Sequence, residues 1–464
     1  MEEQKQKKGA HAYINIGIFI LLLLAGGILS FALPKKSISE NEKRRLAALP
    51  VYSPEKLLAG VFTDSLDYYY ADNFPFRENF IEISARLKEK FGIKQNEEVK
   101  LYTFEEKTAP AENLMQIAEA DSIPAADSSK IIIDTSANNF EYVKSVFICD
   151  RRAFQLFGGT KRAAQNYAKI VNRYREELPA ETRIYCLAMP TLVDFYLPEK
   201  YKKKSGKEKP NIDYLYEKLD SGVIPVRAYE EIAQHTNEYL YFNTDHHWTG
   251  LGAYYAYRAF CQSAGFTPYE LDQFQHKTIR NFLGSLYHLT LNKDLKENID
   301  SVVYYKFPVK TKTVYYLNEK DKTFYKSNIL AEHARGPNAY SVFLGGDYPL
   351  IKVTSDVATP RKALLIKDSY GNAFAPYLAL HFSEVYIVDY RYFNANLVEF
   401  IKKNGITDFI MGHNTFVINN PYAAIRERGL LRGITPKKPK PATDTLKVEN
   451  TVPPITDNAK KIDP

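Results

Sequence analysis

Three cysteines, one tryptophan and four methionines in 464 residues are few, and the shortages narrow the reading. Cys149, Cys186 and Cys261 are odd in number and share no paired spacing, which argues against a disulfide framework or a cysteine metal site. They read as small buried thiols in apolar runs. No nucleic-acid module and no internal repeat is recognisable. The net charge of +7 supplies no basic groove either, because much of it sits near the termini, in Lys5, Lys7, Lys8, Lys35, Lys36, Lys437, Lys438 and Lys440. Such charge suits a membrane surface or a solvated tail, and no nucleic-acid partner is expected. Aromatic residues, by contrast, are abundant: 35 Tyr and 27 Phe help make the chain 45% hydrophobic, enough for a sizeable core. At about 150 residues per domain the length predicts two or three units.

Residues 10–33 stand apart from these. From Tyr13 to Leu33 only Asn15 is strongly polar, and the run is long enough to span hydrocarbon. It predicts a transmembrane signal anchor behind a cytoplasmic head, residues 1–9, with the bulk of the chain outside the cytoplasm. Ser30-Phe31-Ala32 offers a small-x-small cleavage pattern, so a removed signal peptide is the alternative. Either reading exports the rest. Residues 34–100 read as a helical stalk or cap, broken at Phe74-Pro75-Phe76-Arg77. Residues 101–138 are linker-like, with Lys130 to Ile133 as an edge-strand candidate. The main domain is placed at 139–432, and 433–464 is a Pro- and Lys-rich tail expected to be disordered.

Within the main domain, strands alternate with helices. Ser145 to Cys149, Arg183 to Met189, Val223 to Val226, Ala363 to Ile366, Val385 to Val388 and Asp408 to Met411 are apolar runs of strand length. Ala163 to Leu178, Gly250 to Ala264, Gly371 to His381, Asn396 to Asn404 and Tyr422 to Leu431 read as helices. This rhythm predicts an α/β fold, a three-layer parallel sheet covered on both faces. Residues 266–345 interrupt it with short strands, including Ser301 to Tyr305 and Thr313 to Tyr316. They are expected to form a mixed α/β insertion walling one side of a cleft.

Three polar stretches stand at predicted strand exits, where α/β folds place their chemistry. Thr244-Asp245-His246-His247-Trp248-Thr249 follows Tyr239 to Asn243, which reads as the end of a strand. An acid so close to a histidine can lock one tautomer and support an imidazolium, as general-base catalysis requires. Asp368-Ser369 follows a buried strand and opens a helix, whose unpaired N–H groups can stabilise an oxyanion. Gly412-His413-Asn414 ends another strand. Each has a blander reading: a satisfied buried histidine pair, a helix cap at Ser369 or Asp368, ordinary turn residues at 412–414.

Taken in order, these motifs resemble the SGNH hydrolase superfamily, with the Asp-x-His loop moved ahead of the serine. That rotated order resembles the alginate O-acetyltransferase group of the AlgX and AlgJ type. It is more similar still to the DHHW family, known by its Asp-His-His-Trp motif. The likeness runs from Ser39 to Thr415 and takes in Asp72 to Arg77, Phe282 to Ser285, Phe343 to Pro349, Lys367 to Phe374 and Val388 to Phe393. It implies a catalytic Ser369 with His247 as base and Asp245 as orienting acid. It also implies oxyanion or substrate contacts from Asn414, Tyr390 and Arg391. The role of His246 is left open between a packing partner and a competitor of His247 for Asp245, and Trp248 is a candidate supporting residue. No cofactor and no metal is implied. The implied partners are a polysaccharide acceptor and a membrane-bound O-acyltransferase that delivers the acyl group. The implied activity is O-acetyl transfer to an envelope or exported polysaccharide. An acetylesterase with the same triad and a non-catalytic binding protein are the competing readings. A metal site of Asp245, His246, His247 and His413 is a fourth, although adjacent histidines seldom ligate one ion comfortably.

Overall fold

The computed structural model describes residues 15–21, 24–30, 32–35, 38–39, 44–58, 60–91, 99–103, 145–318 and 323–433. Eight strands make its main sheet: β1 (Arg183–Met189), β2 (Val223–Pro225), β3 (Thr311–Asn318), β4 (Thr323–Ser327), β5 (Leu350–Ser355), β6 (Lys362–Lys367), β7 (Glu384–Asp389) and β8 (Asp408–Asn414). Their order across the sheet is β4-β3-β5-β7-β6-β8-β1-β2.

Ala363 to Ile366 of β6 are all fully buried, which requires cover on both faces of the sheet. Because strand side chains alternate, Ala363 and Leu365 enter one core while Leu364 and Ile366 enter the other. The first core is roofed by the helices Gly250–Ala264 and Gly371–Leu378, the second by Lys161–Glu177, Leu397–Asn404 and Pro421–Leu430. Burying one such Leu or Ile side chain is worth roughly 1.5–3 kcal/mol. The three layers are therefore as expected.

The sheet itself is mixed, however, and not parallel throughout. β7, β6, β8, β1 and β2 run parallel. β5 is antiparallel to β7, β3 to β5, and β4 to β3. The connection from β5 to β6 explains the reversal: residues 356–361 are too few for the crossover that parallel strands need, about a dozen residues. The stretch expected as an insertion is likewise divided. β3 and β4 extend the main sheet, whereas Gln275–Phe282 and Asp300–Lys306 pair as a separate ribbon. Tyr239 to Asn243 is not a strand end; only an isolated bridge joins Tyr241 to Trp248.

Nearer the amino terminus, Val99–Thr103 pairs with Ser145–Cys149, reaching across the stretch read as linker. The stretch expected as a stalk or cap contains helices Pro54–Leu58, Val61–Asp72 and Arg77–Phe91, with the break where the sequence places it. Lys35 Nζ donates to the Asn73 carbonyl (3.2 Å) and Ala47 N–H to Asp72 Oδ2 (2.8 Å), tying the preceding residues to that break. Residues 15–21 and 24–30 are helical. Among the described residues no helix is long and apolar enough to cross a membrane. The head, residues 104–138 with their edge-strand candidate, and the tail beyond Gly433 lie outside the described residues.

Candidate active site

The Thr244–Thr249 loop is shaped by a buried carboxylate behind it. Asp300 accepts hydrogen bonds from the N–H groups of Asn243 (2.8 Å) and Thr244 (2.7 Å), from Asn243 Nδ2 (3.0 Å) and from Thr244 Oγ1 (2.5 Å). The Tyr239 hydroxyl donates to it as well. These bonds replace the ladder that a strand ending there would have made. Thr249 then caps the helix Gly250–Ala264 by accepting from Gly252 N–H (3.2 Å).

On this anchored loop Asp245 Oδ1 accepts from the His247 main-chain N–H (2.9 Å) and lies 2.6 Å from His247 Nδ1. Its Oδ2 accepts from Ser285 N–H (2.7 Å). Burial alone raises the Asp245 pKa, but the neighbouring His247 and His246 and these donors overrule it and hold the carboxyl below its ordinary range. An ionised carboxylate can only accept, so the network assigns the Nδ1 proton to His247 and leaves Nε2 as an acceptor. Nε2 lies 2.7 Å from Ser369 Oγ, across 122 positions of sequence.

Ser369 stands at the carboxyl end of β6, just ahead of the helix Gly371–Leu378. Asp368 fastens the turn: Oδ1 accepts from Tyr370 N–H (2.8 Å) and Oδ2 from Asn414 N–H (2.6 Å), joining the exits of β6 and β8. Trp248 Nε1 donates to the Tyr370 carbonyl (3.0 Å), so the two loops are stitched beside the serine as well.

The eight candidate residues thus divide. Asp245, His247 and Ser369 form one hydrogen-bonded line. His246 lies tilted against His247 and turns Nδ1 to Ser285 Oγ (2.7 Å), 3.7 Å from Asp245 Oδ1, so the two histidines do not share the acid equally. Asn414 Oδ1 accepts from Val417 N–H (3.0 Å) as a helix cap. Tyr390 presents its ring edge-on to His413, 5.4 Å away. Arg391 pairs with Asp389 through Nε (2.9 Å) and Nη2 (2.7 Å), and Nη2 also lies 2.9 Å from Asp347 Oδ2. Lys367 Nζ completes this buried group, 3.0 Å from Asp347 and 2.7 Å from Asp389.

His413 does not join Asp245, His246 and His247. It bonds Tyr167 (2.7 Å) and lies 2.9 Å from Glu427 among the helices of the second core. The other three offer ligand atoms within 4.8 Å of one another, but an ion there must break the His247 contact with Asp245 or with Ser369. Burial pushes the thiols up, Cys149 to about 11 and Cys261 to about 12, so neither competes as a nucleophile at neutral pH.

Asp300 and Tyr340 carry no signal in the sequence, while Ser285 and Asp347 lie in the motifs Phe282 to Ser285 and Phe343 to Pro349 without a role assigned to them. The motif Phe282 to Ser285 was visible, and its Gly284 has a physical reason. A Cβ there meets Asp245 Cβ at 2.2 Å and Oδ2 at 2.6 Å. Gly284→Ala is expected to displace Asp245, lowering turnover of an activated ester at least tenfold. The same overpacking destabilises the fold by about 1–3 kcal/mol, read in a melting curve. An unchanged rate rules out the contact as a constraint.

No curated protein matches the chain. Among solved structures, a DHHW family protein from Eubacterium siraeum is 33% identical with a TM-score of 0.57, over 63% of this chain and 96% of its own. Bacillus cereus PatB1 carrying a sulfonyl adduct is 19% identical at a TM-score of 0.49, over 59% of this chain and 96% of its own. The O-acetyltransferase domain of Pseudomonas putida AlgJ is 13% identical at a TM-score of 0.34, over 60% and 96%. The model of the DHHW protein family matches residues 42–104 and 105–388, from the stalk through the Asp245–Trp248 loop and Ser369 to the end of β7, and to that family the chain belongs.

Proposed function

We propose that the protein is an extracytoplasmic, membrane-anchored O-acetyltransferase that modifies an envelope or exported polysaccharide through an acyl-serine. One observation carries the reading: the continuous line from Asp245 through His247 to Ser369, with contacts of 2.6 and 2.7 Å. His247 takes the proton of Ser369 Oγ as that oxygen attacks an acyl carbonyl, and returns it to the departing group. In the second half a sugar hydroxyl attacks the acyl-serine. His247 removes its proton and hands it back to Oγ as the ester is released. Ser369 N–H and the Asn414 side-chain amide are the oxyanion donors in this reading. The cap bond to Val417 fixes the plane of that amide.

The acyl group reaches Ser369 from a membrane-bound O-acyltransferase, and the amino-terminal segment keeps the two proteins on one membrane. The apolar side chains of that segment support such an anchor: Phe19, Leu21 and Ile28 are 61, 66 and 67% exposed, which water does not favour. Water in place of the sugar makes the same site an esterase.

Incubation of the full chain with an activated acetyl ester, with and without oligosaccharide, tests the proposal. The expected result is an acetyl group on Ser369 by mass spectrometry and acceptor-dependent sugar acetate. Hydrolysis alone at every acceptor concentration selects the esterase. Neither turnover nor adduct selects the binding protein.

A further inference from the structure

The imidazole of His247 lies between two rings. His246 covers one side, its centroid 3.7 Å away and its plane tilted by 38°. Tyr340 covers His247 at 3.8 Å, within 10° of parallel. This tyrosine comes from the turn Gly336–Val342, remote in sequence from both loops of the site, and it is buried. Its ring meets Phe242 at 6.2 Å and 88° and Phe343 at 5.4 Å and 65°, both edge-to-face contacts. Its hydroxyl donates to the main-chain carbonyl of Ser369 at 3.0 Å. One side chain therefore touches the face of the base and the backbone of the nucleophile.

The arrangement has chemical consequences in both halves of the proposed reaction. While His247 is neutral, parallel contact holds the imidazole in the plane that keeps Nδ1 on Asp245 and Nε2 on Ser369. When His247 takes the proton it becomes a cation against the electron-rich face of a tyrosine, which attracts it. Titratable groups of three elements face the ring. Asp245 and His246 come from its own loop, Tyr370 (5.3 Å) from the exit of β6, and Tyr340 from its turn. Asp245 answers the new charge at Nδ1, and Tyr340 answers it over the ring.

We propose that Tyr340 is a positioning residue for acyl transfer, its ring supporting the His247 imidazolium and its hydroxyl fixing the Ser369 turn. The inference rests on the acyl-serine reading above.

Tyr340→Phe keeps the ring and drops the hydroxyl; Tyr340→Met and Tyr340→Leu drop the ring and keep an apolar filling. With an activated acetyl ester, Met and Leu are expected to lower kcat about tenfold, in the range of a desolvated cation–π contact, with KM changed by less than about twofold. Phe is expected to restore most of that loss. If one ring-deleting variant does not fold, the other carries the comparison with Phe. Wild-type kcat in a folded ring-deleting variant overturns the proposal. So does an equal loss in Phe and in the ring-deleting variants, or a loss confined to KM. Failure of the acyl-serine reading itself shows separately, as equal rates for the wild type and Ser369→Ala.

Discussion

Ser369→Ala is expected to cut acetyl release from an activated ester about 10⁴- to 10⁶-fold while leaving the fold intact. The size follows from what one atom does in the proposed mechanism. Oγ is the bond-forming atom, and without it His247 Nε2 faces a methyl group with no proton to take. In serine acyl-transfer sites, members that act as one unit lose most of their effect together, and the remaining rate comes from oxyanion donors and binding. Adding His247→Ala to Ser369→Ala is accordingly expected to cost little more than either change alone. The price in stability is small, because a single hydrogen bond contributes about 0.5–1.5 kcal/mol net. Rates of both single variants and the double, beside melting curves for all three, make the check. If Ser369→Ala keeps more than about a tenth of wild-type turnover, the nucleophile lies elsewhere. A double variant with strictly multiplied losses means that His247 and Ser369 do not act as a pair.

How much of this was legible beforehand depended on whether the signal was local. Strand β1 stands where the apolar run Arg183 to Met189 ends at Pro190, and the helix at Gly250 starts behind its Thr249 cap. Period, length and capping chemistry are written in neighbouring residues. Strand direction is not. Leu350–Ser355 is an unremarkable alternating stretch, and only a six-residue connection to β6 decides that it runs backwards. Tyr239 to Asn243 misled because its apolar content is real, yet the Tyr239 hydroxyl and the Asn243 N–H at its two ends donate to Asp300, some sixty positions downstream. The same limit applied at the site. Ser369 announced itself as a polar residue at a strand exit, and Asp245 and His247 as an acid beside a histidine, whereas Tyr340 meets His247 only through folding, with no local period to mark it. Arg391 was expected as an oxyanion or substrate contact, and its engagement with Asp389, two residues earlier, and with Asp347 gives its guanidinium a structural partner on each side.

That engagement sets up the larger expected effect on stability, from Asp347→Ala. Lys367, Asp389, Asp347 and Arg391 form a group of two cations and two anions, with Lys367 and Asp389 almost wholly buried. Asn372 Nδ2 also donates to Asp347 Oδ1 (2.9 Å), so Asp347 grips both the strand end before Ser369 and the helix after it. Removing this carboxylate leaves two cations sharing Asp389, and an uncompensated buried charge typically costs about 3–5 kcal/mol. For a domain of this size that lowers the melting temperature by roughly 6–20 °C. Pairing Asp347→Leu with Lys367→Met removes one charge of each sign and leaves Arg391 paired with Asp389. The double variant is expected to recover much of what either single change loses, since the penalty lies in the unpaired ion. The pH dependence follows from the same charges. Burial works to raise the Asp347 pKa, but Arg391 and Lys367 prevail and hold it below the ordinary carboxylate range. A carboxyl whose folded pKa is depressed contributes its full stabilisation above its unfolded pKa of about 3.9, and loses it as pH falls below that value. The melting-temperature gap between wild type and Asp347→Ala is therefore expected to be constant from pH 7 to about 5 and to narrow below about 4. A gap that holds steady down to pH 3 shows that Asp347 stabilises the turn by shape and not by charge. Arg391 and Lys367 are then not the groups that keep Ser369 in place.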